Sequence, residues 1–403
     1  MNKNLFLTLP VVSLFLASCI RTEQANTECD IEAVELHFER PTDFFYHDYD
    51  TVHSVISTET DIVFTIRSYV NVQSVPTTLR VTDGASVYMK MEDGTETPFF
   101  SGSPVDYSDE HVRHFRVVSQ DRVWSREYSI SIVHDKPSDG NLSFDYETFY
   151  LDASGKYYIW EGAEFFQEGT WKNGNPGFKI SKSSAKPMDY PSTPVVGGGP
   201  DGSACVKLET CDTGPFGRMV NMRLASGSMY NGLFDVSQAL TNALKATQFG
   251  SPFTHKPQLL RVWLRYEPGL NYQDRDGSFI AGVVDEPDIY VVLYRNEDAL
   301  GNKIQVDGND VLTNPNIVGL GRLPHHYNPD GSDKLSADPI HGVTPVWQEI
   351  TIPIEYKAEV DATALENKGY NLIIGAASSW QGAFFKGSIG SKLFIDNMQL
   401  FCE

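Results

Sequence analysis

The sequence predicts an all-β protein built as two successive β-sandwiches, and three observations carry that expectation. Short runs of alternating apolar and polar residues recur along the chain, as in Asp61-Ile-Val-Phe-Thr-Ile-Arg67 and Tyr128-Ser-Ile-Ser-Ile-Val133. Aromatic residues make up 12 % of the chain and stand beside 32 Gly and 22 Pro, a balance that suits strands and turns. One stretch alone, Phe234 to Gln248, carries good helical spacing, with Leu240, Leu244 and Ala246 near one face. At 403 residues the chain is long enough for two domains.

Taken in order, the chain opens with Lys3 and an apolar run from Leu5 to Leu16, too short to span a bilayer comfortably. The run ends in Leu16-Ala17-Ser18-Cys19, which resembles a bacterial lipobox. The resemblance implies a signal peptide over residues 1–18 and diacylglycerol on the Cys19 thiol. A lipidated tether over 19–30 follows, polar and without periodicity. Each buried methylene of an acyl chain adds about 0.8 kcal/mol, so several chains together hold firmly. The expected location is the cell envelope, as an outer-membrane lipoprotein on either the periplasmic or the surface face.

The net charge of −21, from 53 acidic and 32 basic residues, argues against nucleic acid as a partner, because phosphate contacts are basic. It fits solubility in an exported environment. Beyond Cys19 there are four cysteines: Cys29, Cys205, Cys211 and Cys402. In one straight strand Cys205 and Cys211 would lie about 20 Å apart, beyond disulfide reach. Either the strand bends or they do not pair.

Residues 31–135 read as a sandwich of about seven strands. The segments LRVTDGASVYM and SGSPVDYSDEHVRHFRVVSQDRVWSREYSISIV resemble bacterial immunoglobulin-like modules. Trp124 is read as core, and the module as a spacer. A short linker with Pro137 and Gly140 follows, set at 136–143, and the second domain runs from 144 to 403. Lys172-Asn-Gly-Asn-Pro-Gly177 and Val195-Val-Gly-Gly-Gly-Pro-Asp-Gly202 are loop signals. The second is no phosphate loop, lacking the Lys-Ser/Thr that would follow.

The end of the chain reads as two strands, Tyr370–Ser379 and Ser391–Phe401, the second alternating. Leu393, Ile395 and Asn397 fall on one side of it, and Phe394, Asp396 and Met398 on the other. An apolar strand with a carboxylate needs a partner for that group. Phe144-Asp145-Tyr146-Glu147 is the strand expected to pair with it and close the sandwich.

Five motifs in this domain resemble one family: YPSTPV (190–195), SGSMYNGLFD (226–235), GSPFTHKPQLL (250–260), VWQEITIPIEY (346–356) and the closing stretch. They are similar to the putative carbohydrate metabolism domain (PCMD) family of Bacteroidetes lipoproteins. The resemblance implies a jelly-roll β-sandwich like those of carbohydrate-binding modules and some glucanases. Such modules hold a structural calcium between first and last strands, which makes Glu147 and Asp396 the expected metal ligands, against a plain hydrogen-bonded pair. No other cofactor is expected.

Two strands hold the informative side chains. In Leu259–Tyr266, alternation places Arg261, Trp263 and Arg265 on one face and Leu260, Val262 and Leu264 on the other. In Glu286–Tyr294, Glu286, Asp288, Tyr290 and Tyr294 share a face opposite Ile289, Val291 and Leu293. Paired as a hairpin, the two strands would set a Trp and two Arg beside two carboxylates and two Tyr. Flat rings stack on sugars while guanidinium and carboxylate groups meet hydroxyls. The bland alternative is a solvated sheet face with cross-strand salt bridges. Trp380 and Gln381, in the polar turn after Tyr370–Ser379, are expected to border the same groove.

Glu286-x-Asp288 also resembles the first half of a glucanase motif, with its carboxyls about 5 Å apart as retaining hydrolysis needs. Tyr290 and Val291 stand where the further Glu should be, and Pro287 interrupts the motif. Asp274-Arg-Asp-Gly277 is read as a turn and not a calcium loop, and His325, His326 and His341 as surface histidines and not a zinc site. The expected function is carbohydrate capture by an envelope lipoprotein, alongside other glycan-utilisation proteins. The alternatives are a glycoside hydrolase using Glu286 and Asp288, or an adhesin or envelope scaffold.

Overall fold

The computed structural model describes residues 25–403 except 67–71, 92, 109–111, 135–139 and 326–343. The signal peptide, the lipobox with Cys19, half of the linker (136–139), and His326 and His341 lie outside the described residues.

The first domain is a two-sheet sandwich. One sheet has the order β2-β1-β4-β7, from β1 (Ile31–Leu36), β2 (Val52–Ser54), β4 (Val75–Val81) and β7 (Ser103–Val105). The other runs β3-β9-β8-β5-β6, from β3 (Asp61–Ile66), β5 (Ser86–Lys90), β6 (Glu96–Pro98), β8 (Arg113–Val118) and β9 (Ser125–His134). The alternation read in the sequence orients these strands: Ile62, Phe64 and Ile66 turn inward with Ile130 and Ile132, against Val34 and Leu36 of the facing sheet. The immunoglobulin-like sandwich therefore has nine strands, not about seven, and β3 joins β9 in parallel. Trp124 is not core. It stands 60 % exposed at the β8–β9 turn, because its backbone is spent holding that turn through Ser119.

The second domain is the larger sandwich. Its first sheet has the order β11-β12-β21-β15-β18, from β11 (Ser192–Val195), β12 (Cys205–Glu209), β15 (Pro257–Glu267), β18 (Gln348–Pro353) and β21 (Lys392–Cys402). The opposed sheet runs β13-β20-β16-β17-β19, from β13 (Ser228–Tyr230), β16 (Asp288–Arg295), β17 (Ile317–Arg322), β19 (Glu355–Tyr356) and β20 (Tyr370–Ala377), with β14 (Ser251–Phe253) also on β20. The first and last strands of the domain do pair, but the first lies earlier than expected: β10 (Leu142–Phe144) is antiparallel on β21, Leu142 against Leu400 and Phe144 against Met398, while Asp145–Glu147 fall beyond the strand. Between the sheets, Leu260, Val262 and Leu264 meet Ile289, Val291, Leu293, Leu372 and Ile374 in one core. Trp160 and Trp171 seal its edge, both buried.

Strand β21 departs from simple alternation. Arg261 pairs with Gln399 but Trp263 pairs with Asp396, so β21 carries one extra residue there. Asn397 takes it up with φ of 46°. After this bulge Met398 and Leu400 turn into the core, whereas unbroken alternation had put Met398 outside. Phe394, Asp396, Gln399 and Phe401 face outward.

The helix expected over Phe234–Gln248 is much reduced. A 3₁₀ turn (Val236–Gln238) and one four-residue helix (Ala243–Ala246), capped by the Asn242 side chain, lead into a short strand, Thr247–Phe249. That strand joins Gly232–Phe234 and Val306–Asp307 in a small sheet. Phe249 and Val306 from this sheet pack with Tyr290, Val292 and Tyr294 on the outer side of β16. Cys29, Cys205, Cys211 and Cys402 are all free thiols, Cys205 and Cys211 sitting on separate strands.

The domains touch through polar groups. His47 Nε2 lies 3.4 Å from Glu297 Oε1, Lys368 sits over the Tyr46 ring, and Gln167 donates to Glu59 Oε1 at 3.2 Å. The first domain is thus docked on the second, which a mere spacer does not require.

Candidate functional site

The structure splits the expected composite site in two. Strands β15 and β16 are not a hairpin but belong to opposed sheets, so the Trp263 row and the Asp288 row point away from each other. The physical reason is that both strands have an apolar face, and the two apolar faces meet in the shared core.

On the outer side of the first sheet, Arg261, Trp263 and Arg265 stand half-buried in a row, as alternation predicts. Register places Thr351 and Gln399 on either side of Arg261, and Glu349 and Asp396 on either side of Trp263. The Arg261 guanidinium lies 4.9 Å from the Phe401 ring centre. Arg265 sits 3.5 Å over the Phe394 ring and bonds Glu267 at 2.6 Å on its own strand. These are not the cross-strand salt bridges of a plain solvated face. Trp347 borders the row and is held by its indole N–H donating to Gly198 O at 3.1 Å. Sequence reasoning missed Gln399 and Phe401, because the bulge that turns them outward leaves no mark in the alternation. Thr351 and Trp347 were missed because only long-range pairing brings them alongside.

At one end of β16 lies a buried ionic cluster. Arg322 grips Asp288 with two hydrogen bonds, Nε to Oδ1 at 2.9 Å and a terminal nitrogen to Oδ2 at 2.7 Å. His325 Nε2 lies 3.1 Å from Asp288 Oδ1 and its Nδ1 3.5 Å from Glu286 Oε2. Burial pushes the Asp288 carboxyl up, but the charges of Arg322 and His325 overcome it and hold the group well below the usual carboxylate range. Burial lowers His325, and Asp288 and Glu286 more than offset that, so its imidazole stays protonated above the ordinary histidine range. His325 is therefore no surface histidine.

This arrangement corrects the catalytic expectation. Glu286 is 1 % and Asp288 4 % exposed, and a carboxylate already paired to Arg322 in both oxygens is a poor acid or nucleophile. Tyr290 and Tyr294 are also unsuited to a ligand. Both are buried beneath the small outer sheet, where Tyr294 donates to Phe249 O and accepts from Asn371 Nδ2.

Asp285, which the sequence did not flag, is buried beside this cluster. It accepts from Ser379 Oγ (2.6 Å), Ser388 N (2.7 Å), Ser391 Oγ (2.7 Å) and Glu286 N (3.0 Å). Burial nonetheless pushes its carboxyl up to about 7. It ties the loops before β16, after β20 and before β21 into one joint. Trp380 packs there, edge-on to His325 at 6.0 Å, and Gln381 accepts from the Tyr272 hydroxyl at 2.8 Å. Trp380 and Trp263 do not border one groove. One belongs to the loops at the end of the second sheet, and the other faces outward from the first.

Glu147 and Asp396 approach a common loop, where each carboxylate accepts hydrogen bonds. Ala204 N donates to Glu147 at 2.6 Å, while Ser203 Oγ at 2.7 Å and Asn397 N at 2.8 Å supply Asp396. Burial, with Asp201 and Glu147 nearby, raises the Asp396 carboxyl. Among the described residues no group of three or more His, Cys, Asp or Glu is placed to hold a metal ion. The Asp274–Gly277 segment is the turn expected, with Gly277 N donating to Asp274 O at 2.8 Å and φ of 88° at Gly277.

Two facing antiparallel sheets, closed by the first and last strands of the domain and carrying an outward aromatic–guanidinium row, define the class as a jelly-roll β-sandwich. The chain belongs to the putative carbohydrate metabolism domain (PCMD) family, whose model matches residues 143–401. A solved structure from Bacteroides thetaiotaomicron VPI-5482, described as a putative glycoside hydrolase, is similar over both domains. It is 26 % identical with a TM-score of 0.73, and 95 % of this chain and 99 % of that one are covered. A second, from Bacteroides vulgatus ATCC 8482 and described in the same words, is 27 % identical with a TM-score of 0.54 and covers 65 % of this chain and 98 % of that one. A search of curated proteins finds no match.

Proposed function

We propose that this chain binds an oligo- or polysaccharide through the outer face of the first sheet of its second domain. The observation that carries the reading is Trp263. Its strand neighbours Leu260, Val262 and Leu264 already fill the core, so the indole is not needed there and stands outward between two guanidinium groups. A flat ring on a rigid sheet with hydrogen-bonding neighbours suits a pyranose face. The family and the descriptions of the two structural relatives support a carbohydrate as the ligand. They also favour a second reading, glycoside hydrolysis. Under that reading the reacting carboxylates are groups other than Glu286 and Asp288, since those two serve the buried ionic cluster.

Calorimetry against a glycan panel, with thermal melting alongside, tests the first reading. Trp263→Ala is expected to weaken binding by about 1–3 kcal/mol, while the melting temperature holds. Unchanged binding, or a collapse in melting temperature, overturns it.

The lipobox supports an envelope lipoprotein held at the membrane by acyl chains on Cys19. Cys19→Ala should yield an unlipidated precursor that takes up no labelled fatty acid and leaves the membrane fraction. Labelled acyl chains on that variant would refute the anchor.

A further inference from the structure

We propose that this face selects glycans bearing carboxylates, that is, uronate sugars, and that Arg261 is the residue that reads them. The inference rests on the carbohydrate reading above and adds the chemical class of ligand.

The two arginines flanking Trp263 differ in what they already hold. Arg265 is paired with Glu267 and sits over the Phe394 ring. Arg261 has its ring contact with Phe401, but among the described residues no carboxylate or carbonyl accepts from its guanidinium. The Phe401 ring lies 4.9 Å from the guanidinium carbon and takes none of its N–H donors. Gln399 and Thr351 stand in register on either side, their side chains likewise without a hydrogen-bond partner among the described residues. The result is a donor set of one planar cation, one amide and one hydroxyl, beside the Trp263 ring and on three paired strands.

Neutral sugar hydroxyls can be served by Gln399 and Thr351. The fork of Arg261 exceeds that need, because a planar guanidinium matches a carboxylate in both geometry and charge. A half-buried cation without a counter-ion among the described residues also gains most from meeting an anion. The rest of the protein limits what kind of anion. Net charge is −21, and Glu349 lies exposed across from Trp263, one step along the row. A densely charged polymer is therefore repelled, and the face suits a chain with spaced carboxylates that sets one acidic unit at Arg261 and a neutral ring on Trp263.

The test compares uronate-containing oligosaccharides with their carboxyl-reduced, neutral forms by calorimetry on the full mature chain. The acidic form is expected to bind at least roughly tenfold more tightly, as a charged hydrogen bond implies. Arg261→Gln should remove that difference between the two forms, whatever it does to the neutral form alone, and leave the melting temperature as it was. Arg261→Lys, which keeps the charge without the fork, should restore only part of it. Equal affinity for the two forms, or indifference to Arg261→Gln, overturns the inference; the carbohydrate reading still stands if Trp263→Ala weakens that binding. Absence of binding to either form and to the neutral panel overturns both.

Discussion

Replacing Arg322 with alanine is expected to destabilise the second domain by about 3–5 kcal/mol, the usual result of stranding one partner of a buried ion pair. Asp288 would then be left with His325 alone, deep at the end of the central strand β16. Urea unfolding at neutral pH measures the loss. A double replacement, Asp288→Leu with Arg322→Met, should recover much of it, because both charges then leave together. The cluster also sets a pH dependence. The His325 value is raised in the fold, so its stabilisation is complete below the ordinary histidine value of 6.5 and fades as pH rises through the raised value. The Asp288 value is depressed, so its contribution is complete above the ordinary 3.8 and is lost only as pH falls toward the depressed value. An Arg322→Ala variant that unfolds within about 1 kcal/mol of the parent, the range of an exposed pair, would mean that water already screens the cluster.

The second large effect is expected at Trp171. The ring is 2 % exposed and packs against Phe144 at 4.8 Å, Phe166 at 5.0 Å and Tyr146 at 6.0 Å between ring centres. Trp171→Ala should cost about 3–5 kcal/mol, as for other buried aromatic truncations. Because Phe144 ends β10, the loss should fall on the strand that closes the sandwich. Calorimetric melting is the measurement, and amide exchange on β10 and β21 should rise with it. Trp124→Ala is the control, expected within about 0.5 kcal/mol because its ring is solvent-facing and packs against no core residue. Equal effects at the two positions would contradict the packing described.

What could be read from the chain was local. Alternation from Leu259 to Tyr266 decided which way Trp263 faces, and the same rule separated Tyr290 from Val291. Asp396, a carboxylate on an apolar strand, needed a polar partner, and that pointed correctly to the far end of the domain for strand pairing. The choice of sheet was not local. Alternation gives a strand two faces but does not say which neighbour lies beside it, so β15 and β16 were paired when they stand opposed. Arg322 could not be assigned to Asp288 for the same reason, since the match spans 34 residues. Asp285 was hidden because its donors, Ser379, Ser388 and Ser391, are ordinary turn residues that acquire a meaning only when three loops converge.

The bulge at Asn397 reaches further than one irregular pair. Counting along β21, residues before it obey one parity and residues after it the opposite, and each half is correct for the core only because of the extra residue. Removing Asn397 would not shorten the strand so much as exchange its surfaces: Met398 and Leu400 would be carried to solvent, and Gln399 and Phe401 into the interior. The amide and ring that flank Arg261 are thus tied to the core by a count of one. Such a surface can change its chemistry by replacing side chains one at a time, but it has no tolerance for gaining or losing a residue. Variation in length must be absorbed elsewhere, in the loops that join the strands.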